Sequence, residues 1–357
     1  MNKSTSLYLD FLRVIAAFGV LLVHASLPWF SNDLFLRTEL GHRLVMVFFV
    51  LSGYLIAFTV DKKNKDGQTY LVDRFSRLYS VVLPALIFTY AADFIGKQID
   101  PVFYSQMTYG GHQALKFLTN LTYLQQIWTL CATPSTNGPF WSISYEFWYY
   151  MVFWVLCYFK GYKRAAGVLL VALIIGPKIL VLLPVWLLGV LTYKASGRLT
   201  INSKLAGIIF FITLAVILWL TSFKDVAFLQ QRFPYGKAPL YFSSQFLFDW
   251  VYGICIALNI YSFTNTSLLD KAPVVIEKAI RHLSSITFSL YLFHIPILCL
   301  VSRIVPYNKA SYLQVTLVLI GVIVLVNMLS AITEKQRRHF KKFFELLFNK
   351  FNYLSVR

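Results

Sequence analysis

The chain has 357 residues, of which 58% are hydrophobic, 17% aromatic and only 13% charged, with a mean hydropathy of +0.63. A soluble domain carries about 25% charged residues, so these figures exclude an ordinary soluble globule, and the continuous, non-alternating apolar runs exclude a transmembrane β-barrel. The formal net charge of +18 fits Lys and Arg crowding the cytoplasmic ends of membrane helices; no basic aromatic motif points to nucleic acid.

The apolar runs predict an all-α polytopic membrane protein of one domain with about ten spans, at 9–30, 40–60, 75–96, 140–159, 165–176, 178–194, 205–223, 241–263, 284–305 and 311–333. The first run begins near Leu9, is too long for a cleavable signal and carries charges, so it is expected to stay as a membrane helix. It reads LDFLRVIAAFGVLLVHASLPWF and contains Arg13 and His24. Eleven steps of about 100° bring these two to one helix face, about 16 Å apart along the axis. An ionisable group inside a span is costly to keep there and is a functional-site hypothesis by default. Asp10, three residues before Arg13, is a candidate ion partner.

His42 and Arg43 open the second span. The third opens with DRFSRLYSVVLP, in which Arg74 and Arg77 point the same way at i, i+3. Two guanidiniums so placed suit a phosphate group, and equally an ordinary positive anchor at the inner surface. Residues 115–131 are apolar but rich in Thr, Asn and Gln, which predicts an interfacial or re-entrant segment. The fourth span begins FWSISYEFWYY, with Ser142 one turn before Glu146. Gly176-Pro177 marks the fifth–sixth boundary. Asp249 and His294 are single polar residues in the eighth and ninth spans, as consistent with packing as with catalysis. Cys131, Cys157, Cys255 and Cys299 are too scattered for a metal site or a disulfide framework. The ending EKQRRHFKKFFELLFNKFNYL alternates basic and apolar residues, as an amphipathic helix on a membrane surface does.

With both termini placed in the cytoplasm, 22 of the 33 Lys and Arg fall on inner segments and nine on outer ones. That orientation sets Arg13 near the inner surface and brings His24 and Glu146 to similar depth in the outer half. A carboxylate beside an imidazole makes a general-base pair; a buried polar pair holding two helices together is the other reading.

In this order the residues resemble the acyltransferase 3 family of integral-membrane acyltransferases. The resemblance rests on R-x10-H at Arg13–His24, FFVLSGYLI with Ser52 and Gly53, R-x-x-R at Arg74–Arg77, FWSISYEFWYY around Glu146, LSSITFSLYLFHIPI, and ITEKQRR with Glu334. It implies a transmembrane acyltransferase domain over 1–334 and a basic amphipathic cytoplasmic tail over 335–357. It further implies transfer of acetyl from cytoplasmic acetyl-CoA to a hydroxyl of a surface polysaccharide, lipopolysaccharide O-antigen or lipid-linked glycan at a bacterial inner membrane, without a metal. The implied catalytic residues are His24, Glu146 and Arg13; the implied donor-binding residues are Arg74, Arg77 and Arg13, with Ser142 or Ser144 as carriers if an acyl-enzyme forms. Ten helices with intramembrane charges fit a transporter or flippase as well, and a lipid-linked sugar receptor would leave His24 and Glu146 unexplained.

Overall fold

A computed structural model of the chain describes residues 1–32, 34, 38–63, 66–108, 110–222, 240–270 and 272–355. Of the positive charges used to orient the chain, Arg37, Lys65, Lys224, Arg232, Lys237, Lys271 and Arg357 lie outside the described residues, as does the expected end of the seventh span at 223. Among the described residues there is no strand. The helices are α1 (Lys3–Ala25), α2 (Thr38–Lys63), α3 (Gly67–Ile99), α4 (Pro101–Met107), α5 (Gln113–Leu121), α6 (Trp141–Tyr158), α7 (Gly161–Leu180), α8 (Leu183–Ser196), α9 (Ser203–Thr221), α10 (Phe246–Phe263), α11 (Val274–Ser285), α12 (Thr287–Ile304), α13 (Tyr312–Ile332) and α14 (Arg337–Ser355).

Among the described residues seven helical stretches are long and apolar enough to cross a membrane, the last running from Tyr312 to Lys350, and eight if α7 and α8 together make one span. The chain is therefore an all-α polytopic membrane protein, with fewer qualifying spans than the ten expected. The expected fifth and sixth spans are a helix pair bent by 101°. Gly176 adds a break within α7 itself, with φ 72 and ψ 176, a conformation open to glycine. The expected fourth span is α6, whose 18 residues hold three Trp, four Tyr, two Ser and Glu146; those polar atoms take it below the apolar threshold. The first helix stops at Ala25 rather than 30, where the Leu27 amide turns back to the His24 carbonyl at 3.3 Å and Pro28 follows.

The chain forms two compact units. The first comprises Met1–Val23, Leu36–Asn64 and Gly176–Thr287. In it α2 and α8 meet backbone to backbone. A Cβ on Gly53 would lie 2.0 Å from the Trp186 carbonyl oxygen, and one on Gly189 would lie 1.9 Å from that of Val50. Small residues allow this approach where lipid offers no hydrophobic drive between helices. Trp186 Nε1 donates to Ser52 Oγ at 3.2 Å beside the contact. Tyr8 stacks on Phe263 at 3.9 Å between centroids and donates its hydroxyl to Asn259. Arg281 of α11 bonds Asp10 at 3.1 Å and Glu277 at 3.1 Å, and Glu277 receives Lys3.

The second unit comprises His24–Phe35, Lys65–Ile175 and Phe288–Arg357. Its longest helix is α3, capped by Asp66, which accepts from the Thr69 amide at 2.7 Å; that bond holds the Asp66 carboxyl below its ordinary range. α6 lies along α3, with Tyr70 Oη donating to the Tyr150 carbonyl at 3.1 Å and Trp154 Nε1 to that of Gly67 at 3.0 Å. The stretch 115–131 is α5 followed by non-helical chain, in which Gln125 and Gln126 are buried and Tyr123 takes φ 59.

Gly53→Ala should destabilise the protein by about 1–3 kcal/mol, the ordinary cost of overpacking. Gly207→Ala, with nothing within 4 Å of its added methyl, should not. Melting temperatures in detergent check the difference.

Candidate active site

The site is built around one proline in α12. Pro296 carries no N–H, so the Leu292 carbonyl one turn back lacks its helical donor. In an apolar layer such a group must be satisfied by protein. Asn137 supplies the bond, with Nδ2 2.8 Å from the Leu292 oxygen and 3.0 Å from Thr89 Oγ1. The loop bearing Asn137 leads through Gly138–Phe140 directly into α6. The helix α12 and the start of α6 are thereby locked together.

Two residues before the proline, His294 is 1% exposed. Its Nδ1 lies 3.0 Å from the Leu290 carbonyl, an acceptor only, so Nδ1 carries the proton. In the neutral ring Nε2 then accepts, and it lies 3.0 Å from Nδ1 of His24. His24 must therefore donate from Nδ1, which puts its basic lone pair on Nε2. His24 is in the last turn of α1, where the carbonyl end of the helix favours positive charge by about 0.3–1 kcal/mol.

One turn back on α12, Tyr291 stands 6.2 Å from His294 between ring centroids. Its hydroxyl lies 3.1 Å from the Pro139 carbonyl and 2.9 Å from Ser142 Oγ, which also reaches that carbonyl at 3.4 Å. Ser144 donates to the Tyr123 carbonyl at 2.7 Å, which also receives Trp148 Nε1 at 3.0 Å.

On the same α6, a Glu146 oxygen receives the hydroxyl of Tyr150 one turn on. Tyr150 faces the paired arginines of α3. The Arg74 guanidinium lies 5.7 Å from the Tyr70 ring centroid and 5.8 Å from that of Tyr150. Its Nε is buried with no hydrogen-bond partner among the described residues. Arg77 lies 5.7 Å from the Phe288 ring, with the Tyr150 hydroxyl, Glu334 and Glu146 facing it. Glu334 in turn receives Ser289 Oγ at 3.1 Å. Rings hold these cations at about 0.5–2 kcal/mol each while leaving N–H groups directed elsewhere.

The structure thus brings Arg74, Arg77 and Glu146 together, and separately sets His24 on His294. His24 Nδ1 lies 3.0 Å from His294 Nε2, and Glu146 receives the hydroxyl of Tyr150. Arg13 lies in the first unit, 3.8 Å from Asp10, which also accepts from Arg281 and, at 2.7 Å, from Ser284. There too Asp249 is fully buried against His42 Nε2 at 3.0 Å, and Arg43 donates to the Thr221 carbonyl at 2.8 Å beneath the Phe248 ring. Tyr291 and Tyr150 escaped the sequence analysis, and His294 stood there with packing and catalysis both open. Two signals marked them: a proline two residues after an intramembrane histidine, and a tyrosine one turn after an intramembrane glutamate.

Residues 6–332 match the family model of the acyltransferase 3 family, described as an acyltransferase domain. The chain belongs to the acyltransferase 3 family. No curated protein and no solved structure matches it. Membership makes this membrane protein an acyltransferase and sets the histidine pair and the arginine cluster within an acyltransferase domain.

Tyr150→Phe removes the hydroxyl from Glu146 and should lower stability by about 1.5–3 kcal/mol, the range for hydrogen bonds to charged groups. Unfolding of the purified variant in denaturing detergent measures the loss.

Proposed function

We propose that this acyltransferase moves an acetyl group from cytoplasmic acetyl-CoA to a hydroxyl of a surface or lipid-linked carbohydrate, at a bacterial inner membrane, with His24 as the general base. The observation that carries the catalytic reading is the tautomer relay from the Leu290 carbonyl through His294 to His24. A base needs its lone pair held in one direction, and two fixed hydrogen bonds do that here. The acetyl donor and the carbohydrate acceptor rest on the family resemblance.

The acceptor hydroxyl gives its proton to His24 Nε2 and attacks the thioester carbonyl. A C–O bond forms, the C–S bond breaks, and the leaving thiolate takes the proton from the imidazolium. His294 accepts from His24 throughout and keeps the ring from turning. Arg74 and Arg77 take the phosphates of the donor; Tyr150 and Glu146 position Arg77. Arg13, 3.8 Å from Asp10, is kept from the resemblance as a further donor-binding residue. Direct transfer is favoured over an acyl-enzyme because Ser142 and Ser144 both donate to fixed protein acceptors.

His24→Ala should lower kcat by about 10²–10⁴, the usual worth of a general base, in thiol release from acetyl-CoA with the protein in lipid nanodiscs. Retained activity would remove His24 from this role, and a transporter would leave the thioester intact from the outset. His294→Gln, whose amide oxygen can accept from His24, should keep more activity than His294→Leu. Arg74→Ala combined with Arg77→Ala should chiefly raise KM for acetyl-CoA.

A further inference from the structure

The family match ends at residue 332, and α14 begins five residues later. The sequence presents α14 as a basic amphipathic surface helix. In the second unit it is packed on α3. Phe344, 7% exposed, lies 5.4 Å from both the Phe75 and the Tyr79 rings; Phe348 lies 5.8 Å from Phe75. Gln68 Nε2 donates to Asn349 Oδ1 at 2.8 Å farther along.

This docking fixes the first residue of α14. Arg337 Nη2 donates to the Asp73 carbonyl at 2.9 Å and lies 3.8 Å from its carboxylate, which Lys341 approaches at 3.5 Å. Asp73 directly precedes Arg74 and is one turn before Arg77. Arg337 is thus within electrostatic reach of both, with Tyr150 and Glu334 also facing it. Three guanidiniums converge on one stretch of α3. The carboxylates beside them are already engaged: Asp73 by Arg337 and Lys341, Glu146 by Tyr150, and Glu334 by Ser289. Arg74 still has a buried N–H with no hydrogen-bond partner among the described residues, and Arg337 remains 37% exposed. A guanidinium N–H buried without a partner calls for an acceptor, and planar guanidinium forks match phosphate oxygens.

We propose that Arg337 is the third arm of an anion site with Arg74 and Arg77, which takes the phosphate groups of a nucleotide-linked acyl donor. This rests on the acyl-CoA reading given above. It gives α14 a part in donor binding.

The test uses the full chain in nanodiscs with three donors: acetyl-CoA, acetyl-3′-dephospho-CoA and S-acetyl-pantetheine, which has no phosphate. Arg337→Ala should raise KM for acetyl-CoA about tenfold, as loss of one charge-assisted hydrogen bond does. It should leave kcat and the KM for S-acetyl-pantetheine unchanged. Arg337→Lys, which keeps the charge but not the fork, should show a smaller rise for acetyl-CoA alone, and serves if the alanine variant does not fold. An unchanged KM for acetyl-CoA in the variants, or an equal rise for all three donors, overturns the assignment to phosphate. A wild-type protein that turns over no acyl-CoA overturns the donor reading itself, and this inference with it.

Discussion

A proline inside a helix in an apolar layer leaves a carbonyl that must find another donor, and the second unit is arranged around that requirement. Pro296 releases the Leu292 oxygen, and Asn137 answers it from the loop that opens α6. The side chains just before the proline, Tyr291 and His294, are consequently held against fixed neighbours. Tyr291 is tied to Pro139 and Ser142, and His294 to Leu290 and His24. The carbonyl that a proline leaves unpaired in a span and the orientation of an imidazole are in this way one structural problem with one solution.

Burying charge in an apolar protein sets the second condition. Removing an ion from water costs several kcal/mol unless partners replace its hydration. The chain meets this mainly with aromatic rings and hydroxyls. Tyr70, Tyr150 and Phe288 lie against Arg74 and Arg77, and Phe248 against Arg43. Rings compensate a cation without neutralising it. The first unit also holds an ionic cluster, in which Asp10 is shared among Arg13, Arg281 and Ser284.

Much of this was legible residue by residue. Apolar runs predicted the helices, Gly176-Pro177 predicted the break in α7, and the i, i+3 spacing of Arg74 and Arg77 predicted guanidiniums on one side. Gly53 stood out in a motif, and its reason is the carbonyl of Trp186, 2.0 Å from where a Cβ would be. The span count was less legible, because length and apolarity cannot show a 101° bend between neighbouring helices or how aromatic a helix can become before it ceases to resemble a lipid-facing one. The partner of His24 was not legible either. Glu146 was the nearest carboxylate by depth, yet depth along the membrane normal leaves position within the membrane plane undetermined.

The sequence by itself determined the class of protein, the run of helices, the family and the residues that carry charge into the membrane, because these follow from local composition and spacing along one chain. Only the tertiary structure decided which of those residues meet. His24 is paired with His294 across 270 positions, Glu146 is turned toward Tyr150 and the arginines, and a tail that reads as a surface helix delivers Arg337 to Asp73. Such pairings depend on how helices are rotated and packed, which is set by contacts such as Asn137 with Leu292 and Phe344 with Phe75, and no periodicity within a single segment encodes them.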